Sequence, residues 1–324
     1  MNGRLEKELQ SKEKMHRKLA SLPFILTEFY MYMNEDHKSY TTVERYIGYV
    51  VDFMNYVTNN KPTDDFYKTV TVNQVRQYFA SLEVKEYNGK IVRLGDEIKG
   101  TKWSAINTFF NFLMQEDYID TNPMVKTKRP KVKTKHEIVY LTQEEIQSVL
   151  DSIEENARPM LKNRDLCIVS LGLSTGLRVS AITQINVEDI DFTTNKIKVI
   201  EKGNVTKEVG FGNKMRAILL NWIKDREVYF EVDDTGALFV SQQNKRMCTD
   251  AIRDLITKYT SHLNKHIAPH KLRSTAAMNL VQAGADVLTI QAVLGHENIN
   301  TTLRYVQAVE QEKQKATNIL DNLI

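Results

Sequence analysis

The sequence predicts a mainly α-helical protein in two parts: an all-α N-terminal part and an α+β C-terminal part with one small sheet. Three observations carry this prediction. Apolar residues recur at three-and-four spacing through residues 21–124 and again beyond residue 140. Strand-like alternation is concentrated around the turn signal Gly203-Asn204, with one further short run later. Between the two parts lies a basic, proline-containing run, KTKRPKVKTK, residues 126–135. A chain of 324 residues, 42% hydrophobic and 26% charged, is long enough to bury more than one core.

Taken in order, residues 1–20 form a charged leader, too polar for a signal peptide. LPFILTEFYMYMN and TTVERYIGYVVDFMNYVT follow as two helices, the second opening at Thr41 or Thr42. TVNQVRQYFASLEVKEY gives a third helix and KGTKWSAINTFFNFLMQEDYI a fourth. The glycine-rich YNGKIVRLGDEIKG between them reads as a long loop or short hairpin. Asn122-Pro123 closes this part, and residues 125–139 are a linker. In LTQEEIQSVLDSI, Thr142 and Glu145 have the spacing of a capping box, so a second domain begins near residue 140 and runs to about 310.

Within that domain NRDLCIVSLGLSTGLRVSAITQI is mainly helix, loosened by Gly172 and Gly176. KIKVIEKGNVTKEVGF is a hairpin, NKMRAILLNWIKDREVYF a helix, ALFVS a short strand and TDAIRDLITKYTSHLNKH a helix. Three further helical stretches finish the chain. The last ends in a tail helix, residues 311–324, where a polar connector, EQEKQK, precedes an apolar stripe of Ala316, Ile319, Leu320, Leu323 and Ile324.

Net charge is only +3, so any affinity for polyanions must come from clustering. Six of the ten residues in KTKRPKVKTK are basic: Lys126, Lys128, Arg129, Lys131, Lys133 and Lys135. Such a run is either a solvated linker or a strap along a phosphate backbone. Two cysteines, Cys167 in an apolar run and Cys248, make neither a disulfide framework nor a zinc site and suit a reducing cytoplasm. No apolar run reaches membrane-span length, so no membrane partner is expected. Asp189, Asp191, Asp233 and Asp234 read as turn residues rather than a metal cluster, and neither a metal nor any other cofactor is expected.

Four motifs place polar residues at element ends. STGLRVS offers Arg178, IEKGN offers Lys202, PHKLR offers His270 and Arg273, and VLGHENINTTLRY offers His296 and Tyr305. Singly, each has an ordinary structural reading. Arg178 could pair with Asp189 or Asp191, Lys202 could be a solvated turn residue, and His270 a surface histidine. His296 could end a helix, and Tyr305 could sit in a core with its hydroxyl bonded. His270 and Arg273, three apart on one helix face near its positive N-terminal end, are either a solvated pair or a receptor for an anion.

As an ordered set these residues resemble the tyrosine recombinases, or phage-type integrases. TGLR is followed by the lysine of KGN twenty-four positions after Arg178, then by HKLR, then by LGH, with Tyr305 nine positions after His296. The resemblance covers residues 140–310, and the helical part, 21–124, is similar to that family's core-binding domain. Two positions depart from the common pattern: Ala181 where many members have an acid, and Ser274 where many have a second histidine.

The resemblance implies a two-domain, C-shaped clamp on double-stranded DNA. Tyr305 would be the nucleophile, forming a 3′-phosphotyrosyl ester and freeing a 5′-hydroxyl without ATP. Arg178 and Arg273 would bind the phosphate oxygens of the pentacoordinate transition state, where planar guanidiniums suit them better than point charges do. His296 would add a hydrogen bond, His270 would take or relay the phenolic proton, and Lys202 would protonate the leaving oxygen. A tetrameric synapse on two duplexes is implied, compatible with accessory DNA-bending or directionality proteins and with the tail docking in trans. The rival readings are a type IB topoisomerase, a non-catalytic DNA-binding accessory protein and a helical interaction scaffold.

Overall fold

A computed structural model describes residues 12–35, 38, 40–87, 90–131, 137–200, 205–231 and 236–321. The chain divides into two compact units, residues 1–135 and 136–324.

The first unit is a helical bundle. Its helices are α1 (residues 12–19), α2 (Ile25–Glu35), α3 (Tyr40–Val57), α4 (Val72–Ser81) and α5 (Asp96–Gln115). The core is aromatic: Phe29, Phe53, Phe109 and Phe110 are fully buried, and Phe29 meets Phe109 edge-on at 5.2 Å. Lys102 is buried among them because its ammonium meets Asp52 at 2.6 Å and lies 4.7 Å from the Tyr49 ring centre. The glycine-rich stretch resolves into a hairpin, β1 (Val84–Tyr87) with β2 (Lys90–Arg93), antiparallel with Tyr87 opposite Lys90. Helix α5 then begins at Asp96, so Gly100 lies inside it and not in a loop.

The basic run does not start as a free strap. Residues Pro123–Lys126 form a 3₁₀ turn, Arg76 donates to the carbonyl of Lys126, and the Trp103 indole donates to Thr127. The side chains of Lys126, Lys128, Arg129 and Lys131 are exposed, while Lys133 and Lys135 lie outside the described residues.

The second unit contains α6 (Gln143–Asn156), α7 (Pro159–Thr175), α8 (Val179–Gln184), α9 (Asn213–Tyr229), α10 (Thr249–Thr260), α11 (Pro269–Gln282), α12 (Val287–Leu294) and α13 (Ile299–Asp321). Helix α6 opens with the expected box: Thr142 accepts from the Glu145 amide and the Glu145 carboxylate accepts from the Thr142 amide. Helix α7 is the central element, burying Cys167, Ile168, Leu171 and Gly172, and packs on α9 and α11. The sheet has three antiparallel strands in the order β3 (Ile190–Asp191), β4 (Lys196–Ile200), β5 (Thr206–Gly210), with Ile197 opposite Val209. The sequence showed the hairpin but not β3, which is only two residues long.

ALFVS is not a strand. It makes only isolated bridges, Ala237 with Asn186 and Val240 with Arg246. Ala237, Leu238, Phe239 and Val240 are all buried, and side chains take over part of the work of a ladder. Arg226 donates to the carbonyl of Ala237 at 2.8 Å and Trp222 to that of Leu238 at 2.9 Å. The C-terminal tail is helical as far as Asp321, and EQEKQK is part of that helix, because it contains good helix formers and neither glycine nor proline. Residues 311–321 therefore prolong the helix that carries Tyr305.

Candidate active site

The site is built where four chain reversals meet. Helix α7 ends at Gly176, whose φ of +63° is left-handed. A Cβ there would stand 2.5 Å from Leu294 Cδ2, so the position needs glycine for both backbone and space. Arg178 follows as the residue capping α8. Helix α11, started by Pro269, presents His270, Arg273 and Ser274. Helix α12 ends at Gly295, again left-handed, and delivers His296 to the site. Helix α13 contributes Thr302 and Tyr305.

Arg273 is 9% exposed. Its guanidinium donates to the Gly176 carbonyl at 2.9 Å and to the Leu294 carbonyl at 2.6 Å. Arg178 donates to the next carbonyl, Gly295, at 3.5 Å. The carbonyl end of a helix carries partial negative charge, which stabilises both cations while leaving them beside one another. The carboxylates of Asp189 and Asp191 are used locally: Asp189 accepts from the Asn186 amide, and Asp191 from Thr193 and Thr194.

His296 is buried, and its Nδ1 lies 2.9 Å from the Thr302 hydroxyl. Burial, with the positive charge of Arg273, Arg178, Arg304 and Lys207, pushes its pKa down to about 4. The ring is therefore neutral at pH 7. A Thr302 hydroxyl donating to Nδ1 would leave the ring proton on Nε2, where it could be given to an anion's oxygen. The His296 ring stacks at 6.3 Å, within 10° of parallel, on that of Tyr305.

Tyr305 is half-buried against the small cluster of Ala277, Ile290 and Leu294. Its hydroxyl lies 3.4 Å from Ser274 Oγ, which itself donates to the His270 carbonyl at 3.1 Å. The His270 ring stays largely exposed. Partial desolvation, then the charges of Lys271 and His266, lower its pKa, so it too is neutral at pH 7. Tyr259, another tyrosine of this unit, is buried and donates to Asp165 at 2.7 Å, so its phenol is occupied.

Of the six residues singled out in the sequence, Arg178, Arg273, His296 and Tyr305 are joined through shared backbone or ring contacts, and His270 adjoins them through its carbonyl. Lys202 lies outside the described residues. Sequence reading missed three participants. Thr302 carries no motif. Ser274 stood out only as a departure, although its spacing of four from His270 on a helix was a usable signal. Lys207 looked like an ordinary strand residue, yet its ammonium donates to the carbonyls of Ala292 and Val293. At the other departure, Ala181 is 2% exposed in the apolar core. Among the described residues no group of three or more His, Cys, Asp or Glu side chains could hold a metal ion.

A cationic cradle beside an exposed-edge phenol suits a phosphodiester, and comparison with known proteins points the same way. Residues 139–312 match the model of the phage integrase family. The tyrosine recombinase XerC of Caldanaerobacter subterraneus is 29% identical over 96% of this chain and 90% of its own length. That of Oceanobacillus iheyensis is 30% identical over 76% of this chain and 79% of its own. Among solved structures, the XerH site-specific recombinase bound to a palindromic difH substrate after cleavage superposes with a TM-score of 0.70 at 18% identity, covering 86% of this chain and 80% of the other. The Tn1549 transposon integrase with transposon right-end DNA gives 0.67 at 19%, covering 90% and 98%.

Proposed function

The chain belongs to the phage integrase family of tyrosine recombinases, and we propose that it cleaves and rejoins double-stranded DNA at a specific site with Tyr305 as the nucleophile. The observation that carries this reading is the seating of Arg273 and Arg178 on successive carbonyls, Leu294 and Gly295, beside the His296–Tyr305 ring pair. Two forked guanidiniums and an imidazole N–H converge where one phosphate would be bound.

In the step itself Tyr305 Oη attacks phosphorus, the phosphorus–O5′ bond breaks, and a 3′-phosphotyrosyl ester remains. Arg178, Arg273 and His296 stabilise the charge that grows on the non-bridging oxygens. His270, neutral and partly open, takes the phenolic proton, and Ser274 holds the phenol on the His270 side. Lys202 gives a proton to the departing O5′. The reverse attack by a 5′-hydroxyl from a second duplex rejoins the strand, and because the ester conserves the bond no nucleotide hydrolysis is needed.

The relatives and solved neighbours are named as recombinases and integrases, which favours strand exchange over simple relaxation. The reading takes the partner to be duplex DNA and the working assembly a tetramer on two duplexes, with the end of α13 reaching a neighbouring protomer and the basic run contacting the backbone. Biologically it fits resolution of the XerC kind or movement of an integrating element. A nicked duplex that traps the cleaved strand, offered together with a second labelled duplex, tests it. Transfer of label into a recombinant strand is expected, and relaxation of supercoiled plasmid without transfer would contradict it.

A further inference from the structure

Lys207 sits on the inward face of β5, opposite Val199 and two residues before Val209, both buried. An ammonium is out of place on that face unless something meets it. Here the carbonyls of Ala292 and Val293 do so, at 2.6 and 3.0 Å. The next two carbonyls, Leu294 and Gly295, are those that Arg273 and Arg178 hold. Four successive carbonyls at the end of α12 are thus shared among three cations, arriving from β5, from α11 and from the start of α8. A lysine suits its part of this run, since three rotatable donors on a flexible stem can engage two carbonyls that diverge along a helix end.

We propose that Lys207 is a positioning residue for the leaving-group proton transfer. It fixes β5 to the same helix end that seats the phosphate-binding arginines, and the strand so fixed begins four residues after Lys202 in sequence. This inference rests on the reading of Lys202 as the donor to O5′. Lys207 itself touches neither the phosphate nor the proton that moves.

The chemistry offers a selective test. A DNA strand with sulfur in place of the bridging O5′ releases a thiolate, which is stable unprotonated, so breaking its phosphorus–sulfur bond needs no acid. Single-turnover formation of the covalent adduct would be measured with saturating full-length protein on oxygen and sulfur substrates, for Lys207→Met, Lys207→Arg and Lys202→Met. Lys207→Met is expected to slow the oxygen substrate about 10²-fold, the scale of a small displacement at a reacting centre. It should leave the sulfur substrate near the unsubstituted rate, and Lys207→Arg should recover most of the loss. Equal slowing on both substrates would overturn the proposal and make Lys207 a general structural or DNA contact, and no slowing on either would make the carbonyl contact incidental. Lys202→Met separates the two levels. If sulfur rescues Lys207→Met but not Lys202→Met, Lys207 is itself the proton donor and the positioning role is wrong. If it rescues Lys202→Met alone, the reading of Lys202 stands and the inference falls.

Discussion

Arg273 shows how backbone carbonyls help to hold a buried cation. Two carbonyls, from Gly176 and Leu294, satisfy part of its fork, and the dipole of α12 offsets part of its charge. On the proposed role, in which the guanidiniums act on charge that develops in the transition state, Arg273→Ala or Arg178→Ala should lower cleavage roughly 10²–10³-fold. Site affinity, measured by gel shift, should fall much less. A parallel loss of both would make them ordinary phosphate anchors. His296 has a measurable signature too. Its folded pKa of about 4 lies below the ordinary 6.5, so between those values the unfolded chain binds more protons. Stability at this residue is therefore present above pH 6.5 and lost as pH falls toward 4, by about 3 kcal/mol in all. Urea titrations from pH 4 to 7 should show this slope, and His296→Gln should flatten it.

At the scale of the element, legibility followed the range of the signal. Thr142 and Glu145 are three residues apart, and the box they form was readable as such; Thr142→Ala should cost about 1 kcal/mol in urea unfolding. Gly176 was readable as a break in a helix but not as a contact, because its neighbour Leu294 is far away in sequence. Replacing it with alanine meets both the left-handed backbone and the Leu294 side chain, and a loss of at least about 2 kcal/mol is expected from the same titration. ALFVS misled for the same reason. Its apolar run, with Phe239 and Val240, has the look of a strand, whereas its Leu238 and Ala237 carbonyls are taken by Trp222 and Arg226. The motifs that carry the family resemblance were legible since each is short and ordered. What they rest on, the carbonyls of Ala292 to Gly295, was not, since a backbone acceptor leaves no mark in a sequence.

For the whole molecule, charge is nearly balanced, so affinity for DNA depends on where the cations lie. Lys126, Lys128, Arg129 and Lys131 are exposed at the end of the first unit. If they contact the backbone, replacing each with glutamine should lower the salt-dependence slope by about 0.9 per lost phosphate contact, equally for specific and random duplexes. An unchanged slope would leave them as solvated residues. Removing residues 316–324 should spare single-site binding and impair assembly of paired sites, as resolved by gel shift; normal pairing would rule out a role in trans. The central claim, that Tyr305 is the nucleophile, has a direct measurement: mass-spectrometric mapping of the peptide linked to DNA after trapping on a nicked duplex. The account predicts a 3′-phosphoryl group on Tyr305, a free 5′-hydroxyl on the released strand, and no adduct from Tyr305→Phe although that variant still binds. An adduct on any other residue, or one that persists in Tyr305→Phe, would contradict it.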